Sequence, residues 1–328
     1  MTYQGRALYN LLQMNFKQNP AMDAEAWQVE NYRELSQEEL FQRLEKLEIF
    51  LSEENFLLYV DECDSPEDLA DCLYLEEDFE KHEQVYLCVF ELWRRLAPHK
   101  QSLSLFVDEL DHLIERYEEG ELEVEEDLQV ALTSFQSILD DNIDEGGEAK
   151  EGYHFFSAFS CHDLEVFIYE YISHQIDAEN DLYASELLDG FYPYIDNERW
   201  FDLLRARLVT ATNLEEGRVM VDRLITSLKE EPELYLLFEV LHYLIHIEDT
   251  EQFQMAYLQA LDAIETQEDL RELLTLTAEY FNASEKEKEE TLVNEILEKQ
   301  KGCDLQESVA KDAEPLQVLK ELVTLSLA

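Results

Sequence analysis

The sequence predicts an all-α protein of stacked antiparallel helical hairpins, and two observations lead to this fold class. Strongly apolar stretches come in pairs between residues 197 and 301, and each pair turns over at a short polar corner. The corners recur about every 35 residues, the period of helical-repeat arrays, at Thr212-Asn213, Glu248-Asp249 and Ala283-Ser284. Glycine (8) and proline (6) are scarce among the 328 residues, which favours long helices over many short strands.

Helix start signals recur along the chain where this fold requires them. Ser36 with Glu39, and Ser284 with Glu287, have the spacing of a capping box, in which the two side chains satisfy free backbone N–H groups at a helix start. Ser65-Pro66 places a serine at the N-cap and a proline at the first helical position. Nearly every residue between 85 and 96 is apolar, so we expect that helix to be central in its domain.

The hairpin stretch, about a third of the chain, resembles the tetratricopeptide-type helical repeats in period and form. The residues that match that family's large and small core positions are Leu237, Val240, Leu244, Tyr257 and Ala260. Leu241 and Phe253 depart from the pattern, because they stand where the family has small residues. The resemblance implies an α-solenoid, a superhelix of tetratricopeptide-like hairpins, with a geometry that differs from the family's own.

Charge and turn residues divide the sequence into five parts. Residues 1–31 are an N-terminal arm with two basic residues and no acid up to Asn19, interpreted as a helix packing on the acidic body or, alternatively, as a mobile arm or export signal. Residues 32–139 form an acidic helical domain, 140–152 an acidic linker, and 153–301 the helical-hairpin repeat domain. Residues 302–328 form a C-terminal linker and a capping helix, whose apolar stripe ends at Leu327.

The charge balance restricts the class of partner. The chain has 77 Asp and Glu against 24 Lys and Arg, a formal net charge of −53. Direct binding to nucleic acid or to anionic lipid is disfavoured, because both need lysine and arginine at the phosphates. The segment between Lys46 and Lys81 contains no basic residue at all. It is interpreted as a solvated acidic face or as a docking surface for a basic partner.

Cysteine content and hydropathy bear on localisation. Five cysteines, an odd number with no C-x-x-C pair, predict reduced thiols in the cytoplasm and not a disulfide framework. No stretch approaches the length of uncharged apolar sequence that a membrane-spanning helix needs. The N-terminus lacks a secretory signal of the usual type. Export by a dedicated secretion system is the alternative, because its signal need not have that form.

The candidate partner-binding residues are basic. Five arginines fall within the first hairpin of the array, a concentration that stands out in so acidic a chain: Arg199, Arg205, Arg207, Arg218 and Arg223. They are interpreted either as partners of the protein's own carboxylates or as a patch in the groove that recognises an acidic peptide or a carboxylate terminus.

The candidate metal ligands are acidic. Residues at positions 1, 3, 5, 9 and 12 of a calcium-binding EF-hand loop are matched by Asp140, Asn142, Asp144, Glu148 and Glu151. Position 6, which requires glycine, is Glu145, and the apolar position 8 is Gly147, so an acidic linker is the better interpretation. Cys161-His162 adjacency alone indicates no site, and no catalytic signature or cofactor motif is present.

These observations predict a non-enzymatic scaffold, adaptor or chaperone-like protein. It would bind a peptide or protein partner in a groove of stacked hairpins, through aromatic and arginine contacts, without a cofactor. Two alternatives belong to other classes. One is an acidic nucleic-acid mimic that inhibits a DNA-binding protein, and the other is a bacterial secretion-system regulator or effector. The sequence gives neither the partner nor the oligomeric state.

Overall fold

The chain is all-α, as the sequence predicts. A computed structural model describes residues 5–75 and 78–326, in which eighteen helices and no strand occur. An isolated antiparallel bridge joins Thr266 to Ser308. The chain divides into two units: unit 1 runs to Glu170 and includes Pro193–Asp196, and unit 2 holds Tyr171–Tyr192 and the chain from Asn197 onward.

Unit 1 is built from nine helices and the first part of a tenth. They are α1 (Gly5–Gln18), α2 (Ala26–Val29), α3 (Gln37–Lys46), α4 (Glu53–Glu62), α5 (Pro66–Leu73), α6 (Phe79–Leu96), α7 (Leu103–Glu118), α8 (Glu125–Asp144), α9 (Ala149–Ser157) and α10 (Leu164–Asp177). The division between the units falls within α10, between Glu170 and Tyr171.

Helix α6 is the centre of unit 1, as its apolar sequence predicts. Every residue from Val85 to Trp93 is buried, and α3 and α5 pack against the helix. The start signals that the sequence shows for these neighbours are confirmed. Ser36 and Glu39 form the capping box of α3, and Ser65 caps α5 with Pro66 in the first turn.

Unit 2 consists of the later part of α10 and eight further helices. These are α11 (Asp181–Phe191), α12 (Glu198–Thr212), α13 (Leu214–Glu230), α14 (Leu234–His246), α15 (Thr250–Ala263), α16 (Gln267–Ala283), α17 (Glu287–Gln300) and α18 (Glu314–Ser326). Helices α12 and α13, α14 and α15, and α16 and α17 pair as three successive hairpins.

The hairpins stack in register along unit 2. The first helices of neighbouring hairpins contact one another (α12 with α14, α14 with α16), and α13 contacts α15. The three corners fall where the sequence predicts them, and Asn213 and Asp249 cap the helices that follow. Leu241 and Phe253, the two large residues at small-residue positions, are both fully buried. Stacked helical hairpins are therefore the architecture of this unit.

One predicted helix start is wrong. Ser284 does not form a capping box with Glu287 but ends α16, and α17 begins after Lys286, which makes no side-chain cap. The reason is the backbone of Glu285, whose φ of 56° takes the left-handed conformation of a helix C-terminus. The amide N–H of Lys286 then donates to the carbonyl of Phe281, closing α16 instead of opening α17.

The C-terminal segment packs onto the stack through an extended stretch and a helix. The amide of Gln267 donates to the carbonyl of Glu307, and the amide of Val309 donates to the carbonyl of Glu265. Helix α18 then contacts α15 and α17 and buries Leu316, Leu319 and Val323, as a capping helix would. Leu327, the last residue of its predicted stripe, lies outside the described residues.

None of the described helices combines the length and the apolar content that crossing a bilayer would require.

Replacement of a core leucine in unit 2 tests the stack. We expect Leu241→Ala in the fully buried middle of α14 to lower the free energy of unfolding by about 2–5 kcal/mol, because it leaves a cavity between hairpins. Leu182→Ala, at an exposed position of α11, is the matched control and should change it by less than about 0.5 kcal/mol. Urea unfolding followed by circular dichroism measures both. Equal effects of the two substitutions would contradict the stacked core.

Candidate functional site

An open groove with a volume of about 380 Å³ lies in unit 1 between α1, α2, α5 and α6, and we call it the α1–α6 groove. Its apolar lining comes mainly from Leu8, Leu12, Trp27, Phe79, Tyr86 and Leu87. Tyr86 and Leu87 are buried and form its floor, whereas Leu8 and Phe79 remain exposed over 60% and 72% of their surface. The groove therefore offers solvent-exposed apolar surface over a packed base, which is the character of an interaction site.

Two features of the sequence build the floor of the groove. Between Val85 and Trp93 helix α6 is buried on all sides, so it presents Tyr86 and Leu87 toward the groove while its other faces pack in the core. Gly5 allows α1 to approach α6 closely. A Cβ atom at that position would lie only 3.3 Å from Tyr86 Cε1 and 3.3 Å from Glu83 Oε2.

Carboxylates border the groove. Glu67 accepts a hydrogen bond of 2.8 Å from the Tyr86 hydroxyl, and Asp71 lies 2.8 Å from His82 Nε2. Burial raises the pKa of Glu83. Of the residues that the structure describes around the groove, none is a lysine or an arginine. The apolar lining is thus combined with carboxylates at its border, and two of these, Glu67 and Asp71, belong to the segment between Lys46 and Lys81 that contains no basic residue.

The wall that α1 contributes is fixed by a buried arginine. Arg6 Nε donates to Asp108 Oδ1 at 2.6 Å, and its Nη2 donates to Glu91 Oε1 at 3.0 Å, which joins α1 to α7 and α6. The guanidinium also lies over the rings of Phe90 and Tyr9, with distances of 4.6 and 4.9 Å from Cζ to the ring centroids. Residues 5–18 are therefore a packed part of unit 1.

Asp108 is held ionised by its neighbours. Burial alone would raise the pKa of this carboxyl group, but the positive charges of Arg6 and Arg33 and the hydrogen bonds from Arg6 and Asn10 lower the pKa to about 2. Arg33 Nη2 lies 2.6 Å from Asp108 Oδ2, and Asn10 Nδ2 donates to Asp108 Oδ1 at 2.9 Å.

Four of the five arginines predicted to bind a partner form ion pairs within unit 2. The four pair with four different carboxylates, at distances of 2.6 to 3.4 Å: Arg199 with Glu233, Arg205 with Asp189, Arg207 with Asp177 and Arg218 with Asp249. Arg205 also lies over the ring of Tyr192. Arg223 is exposed.

The predicted calcium ligands lie mostly on helices. Asp140, Asn142 and Asp144 belong to the last turns of α8, while Glu148 precedes α9 and Glu151 lies within it. None of the four carboxylates joins a group of three ligand atoms within 4.8 Å of one another in the described residues. An EF-hand loop needs a turn at its sixth position, and here the helix continues to Asp144 with glutamate at that position.

The sequence did not reveal two features of unit 1. The α1–α6 groove combines residues from four helices, and its only sequence signal is the acidic segment between Lys46 and Lys81. The second feature is a cluster of Met14, Asp111, Cys161 and His162, described below. The Cys161-His162 dipeptide was visible, but the other two members are 50 or more positions away in the chain.

Comparison with known proteins adds no relative: no family model, curated protein or solved structure matches the chain.

Removal of the Asp108 charge tests the buried cluster. We expect Asp108→Asn to lower the free energy of unfolding at pH 7 by about 3–5 kcal/mol, because it leaves Arg6 with an incomplete set of partners. The folded-state pKa of Asp108 is below that of an unfolded aspartate, so its charge stabilises the protein above about pH 4, and this contribution is lost as the pH falls toward 2. The difference between wild type and variant should therefore shrink over that range.

The measurement is urea unfolding at a series of pH values. The protein is kept at micromolar concentration, because protonation of the carboxylates reduces the net negative charge in this range and favours aggregation. Asp61→Asn removes the same charge from an exposed position of α4 and is the control. If Asp108→Asn and Asp61→Asn have the same effect at every pH, the cluster does not stabilise unit 1.

Proposed function

We propose that this protein is a non-enzymatic interaction scaffold, and that its α1–α6 groove binds a basic, amphipathic helical segment of a partner protein. One observation carries the proposal: an open apolar groove bordered by carboxylates, with no basic residue among its described lining residues. A partner helix would place its apolar side chains, spaced at i, i+3, i+4 and i+7, against the lining, in the helix-in-groove mode.

Charge complementarity selects the sign of the partner. Glu67, Asp71 and Glu83 lie around the groove, and the chain as a whole carries a formal charge of −53. Lysines and arginines on the outer faces of a bound helix would approach these carboxylates and speed its association. An acidic segment or a nucleic-acid backbone would be repelled.

The arginines of the first hairpin do not enter this proposal, because four of them already pair with carboxylates of unit 2. The stacked hairpins of unit 2 act as a scaffold in the wider sense, by analogy with helical-repeat proteins of the tetratricopeptide type. We place this function in the cytoplasm, and the five free cysteine thiols support that location.

Peptide binding to matched variants tests the groove. The probe is a labelled 18-residue helical peptide with leucines along one face and lysines on the other, followed by fluorescence anisotropy. We expect Phe79→Ala to weaken binding about tenfold or more, because it removes an apolar contact at the groove. Phe50→Ala is the control: Phe50 is also 72% exposed but lies outside the groove.

Two peptide controls separate shape from charge. A scrambled peptide of the same composition lacks the apolar face and should bind at least tenfold more weakly at about 0.15 M salt, where charge attraction is screened. A peptide with glutamates in place of the lysines should not bind. Equal binding of the scrambled peptide, or equal effects of Phe79→Ala and Phe50→Ala, would show that the groove is not a helix-binding site.

A further inference from the structure

Four side chains of unit 1 converge beside the buried arginine cluster. They come from α1 (Met14), α7 (Asp111) and the turn that precedes α10 (Cys161 and His162). Cys161 Sγ lies 3.4 Å from His162 Nδ1 and 3.4 Å from Met14 Sδ, and His162 Nδ1 lies 2.9 Å from Asp111 Oδ1. The side chains of His162 and Asp111 are only 6% and 3% exposed.

Asp111 is held in place by other groups. The hydroxyl of Ser160 donates to Asp111 Oδ1 at 2.6 Å, and the backbone N–H of Cys161 donates to Asp111 Oδ2 at 3.0 Å. These bonds fix both the carboxylate and the turn that carries Cys161 and His162. The cluster is therefore organised in advance, as ligand sites are when hydrogen bonds orient their side chains.

The geometry is not that of a nucleophilic cysteine. In a cysteine–histidine–aspartate relay, the thiol and the carboxylate contact opposite nitrogens of the imidazole, so that the ring can transfer a proton between them. Here Cys161 Sγ and Asp111 Oδ1 both lie against Nδ1, and Nε2 is buried with no hydrogen-bond partner. Burial also raises the pKa of the Cys161 thiol, as does the adjacent Asp111 carboxylate, which disfavours the reactive thiolate.

The set of atoms fits a metal ion instead. In the described residues, Asp111, Cys161 and His162 are the one group of three histidine, cysteine or carboxylate side chains whose ligand atoms lie within 4.8 Å of one another. Met14 adds a thioether. A thiolate and a thioether are soft ligands, and an imidazole is a borderline ligand that copper also accepts. Together they favour monovalent copper, whereas the usual ligands of zinc are cysteine, histidine and carboxylate.

We propose that Met14, Cys161 and His162, with Asp111, form a binding site for Cu(I). On binding, the Cys161 thiol would release its proton to solvent, and the ion would take the place of the proton between His162 Nδ1 and Asp111, so that the neutral imidazole carries its proton on Nε2. Metal–sulfur and metal–nitrogen bonds of about 2.3 and 2.0 Å at a tetrahedral centre separate ligand atoms by about 3.5 to 3.8 Å. The observed separations of 3.4 Å around Cys161 Sγ need only small side-chain shifts to reach this range.

Competition for copper tests the site. The full chain, reduced and free of oxygen, is titrated with Cu(I) in the presence of a chromogenic Cu(I) chelator. We expect one tightly bound ion in the wild type. Its affinity should be at least about 100-fold lower in Cys161→Ser. It should be about 10–100-fold lower in Ser160→Ala, because this substitution removes a hydrogen bond that orients Asp111. Met14→Leu keeps the size of the side chain and should weaken Cu(I) binding while leaving the unfolding midpoint of the metal-free protein unchanged.

Matched cysteine controls exclude general thiol binding. Cys72→Ser and Cys303→Ser each remove an exposed thiol and should leave the affinity unchanged. X-ray absorption of the one-to-one complex should show both sulfur and nitrogen neighbours of copper. Uptake that Cys161→Ser does not alter, or that Cys303→Ser reduces equally, would overturn the proposal. Tighter binding of Zn(II) than of Cu(I), unaffected by Met14→Leu, would overturn the assignment to copper.

Discussion

The buried guanidinium of Arg6 is the interaction on which unit 1 depends most. A charge removed from water is costly unless it is paired, and Arg6 pairs with Asp108 and Glu91 and lies over the faces of two aromatic rings, while its Nη1 is buried without a hydrogen-bond partner. These contacts of Arg6 hold α1 against α6 and α7. Helix α1 in turn supplies Leu8 to the α1–α6 groove and Met14 to the proposed copper site.

The few basic residues of this acidic chain hold its elements together in the same way as Arg6. Several of them join segments that are far apart in sequence. Arg95 Nη1 donates to the carbonyl of Leu35 at 2.6 Å, and Lys100 Nζ donates to the carbonyl of Val60 at 2.7 Å. Four of the five arginines of the first hairpin in unit 2 also pair with residues outside their own helix. These cations are used inside the units, and none of the described residues that line the α1–α6 groove is a lysine or an arginine.

The sequence was sufficient for features that depend on local rules, and insufficient for features that depend on distant contacts. Corner positions, the apolar character of α6 and the cap at Ser36 follow from periodicity and from short-range hydrogen bonds. The predicted helix start at Ser284 is wrong because the left-handed backbone of Glu285 ends α16 there, and no capping pattern in the sequence specifies that conformation. The groove and the copper site could not be predicted, because they require the packing of α1 against α6 and α7, which the Arg6 pairs determine.

Hydrogen–deuterium exchange of the full chain shows whether Arg6 fixes α1 as a wall of unit 1. If it does, the amides of α1 exchange slowly in the wild type. They should exchange much faster in Arg6→Met, while Lys17→Met, which removes a half-exposed cation from the same helix, leaves them protected. Amides of α1 that exchange at the rate of an unstructured peptide in the wild type, or equally slowly in Arg6→Met, would contradict this role of Arg6.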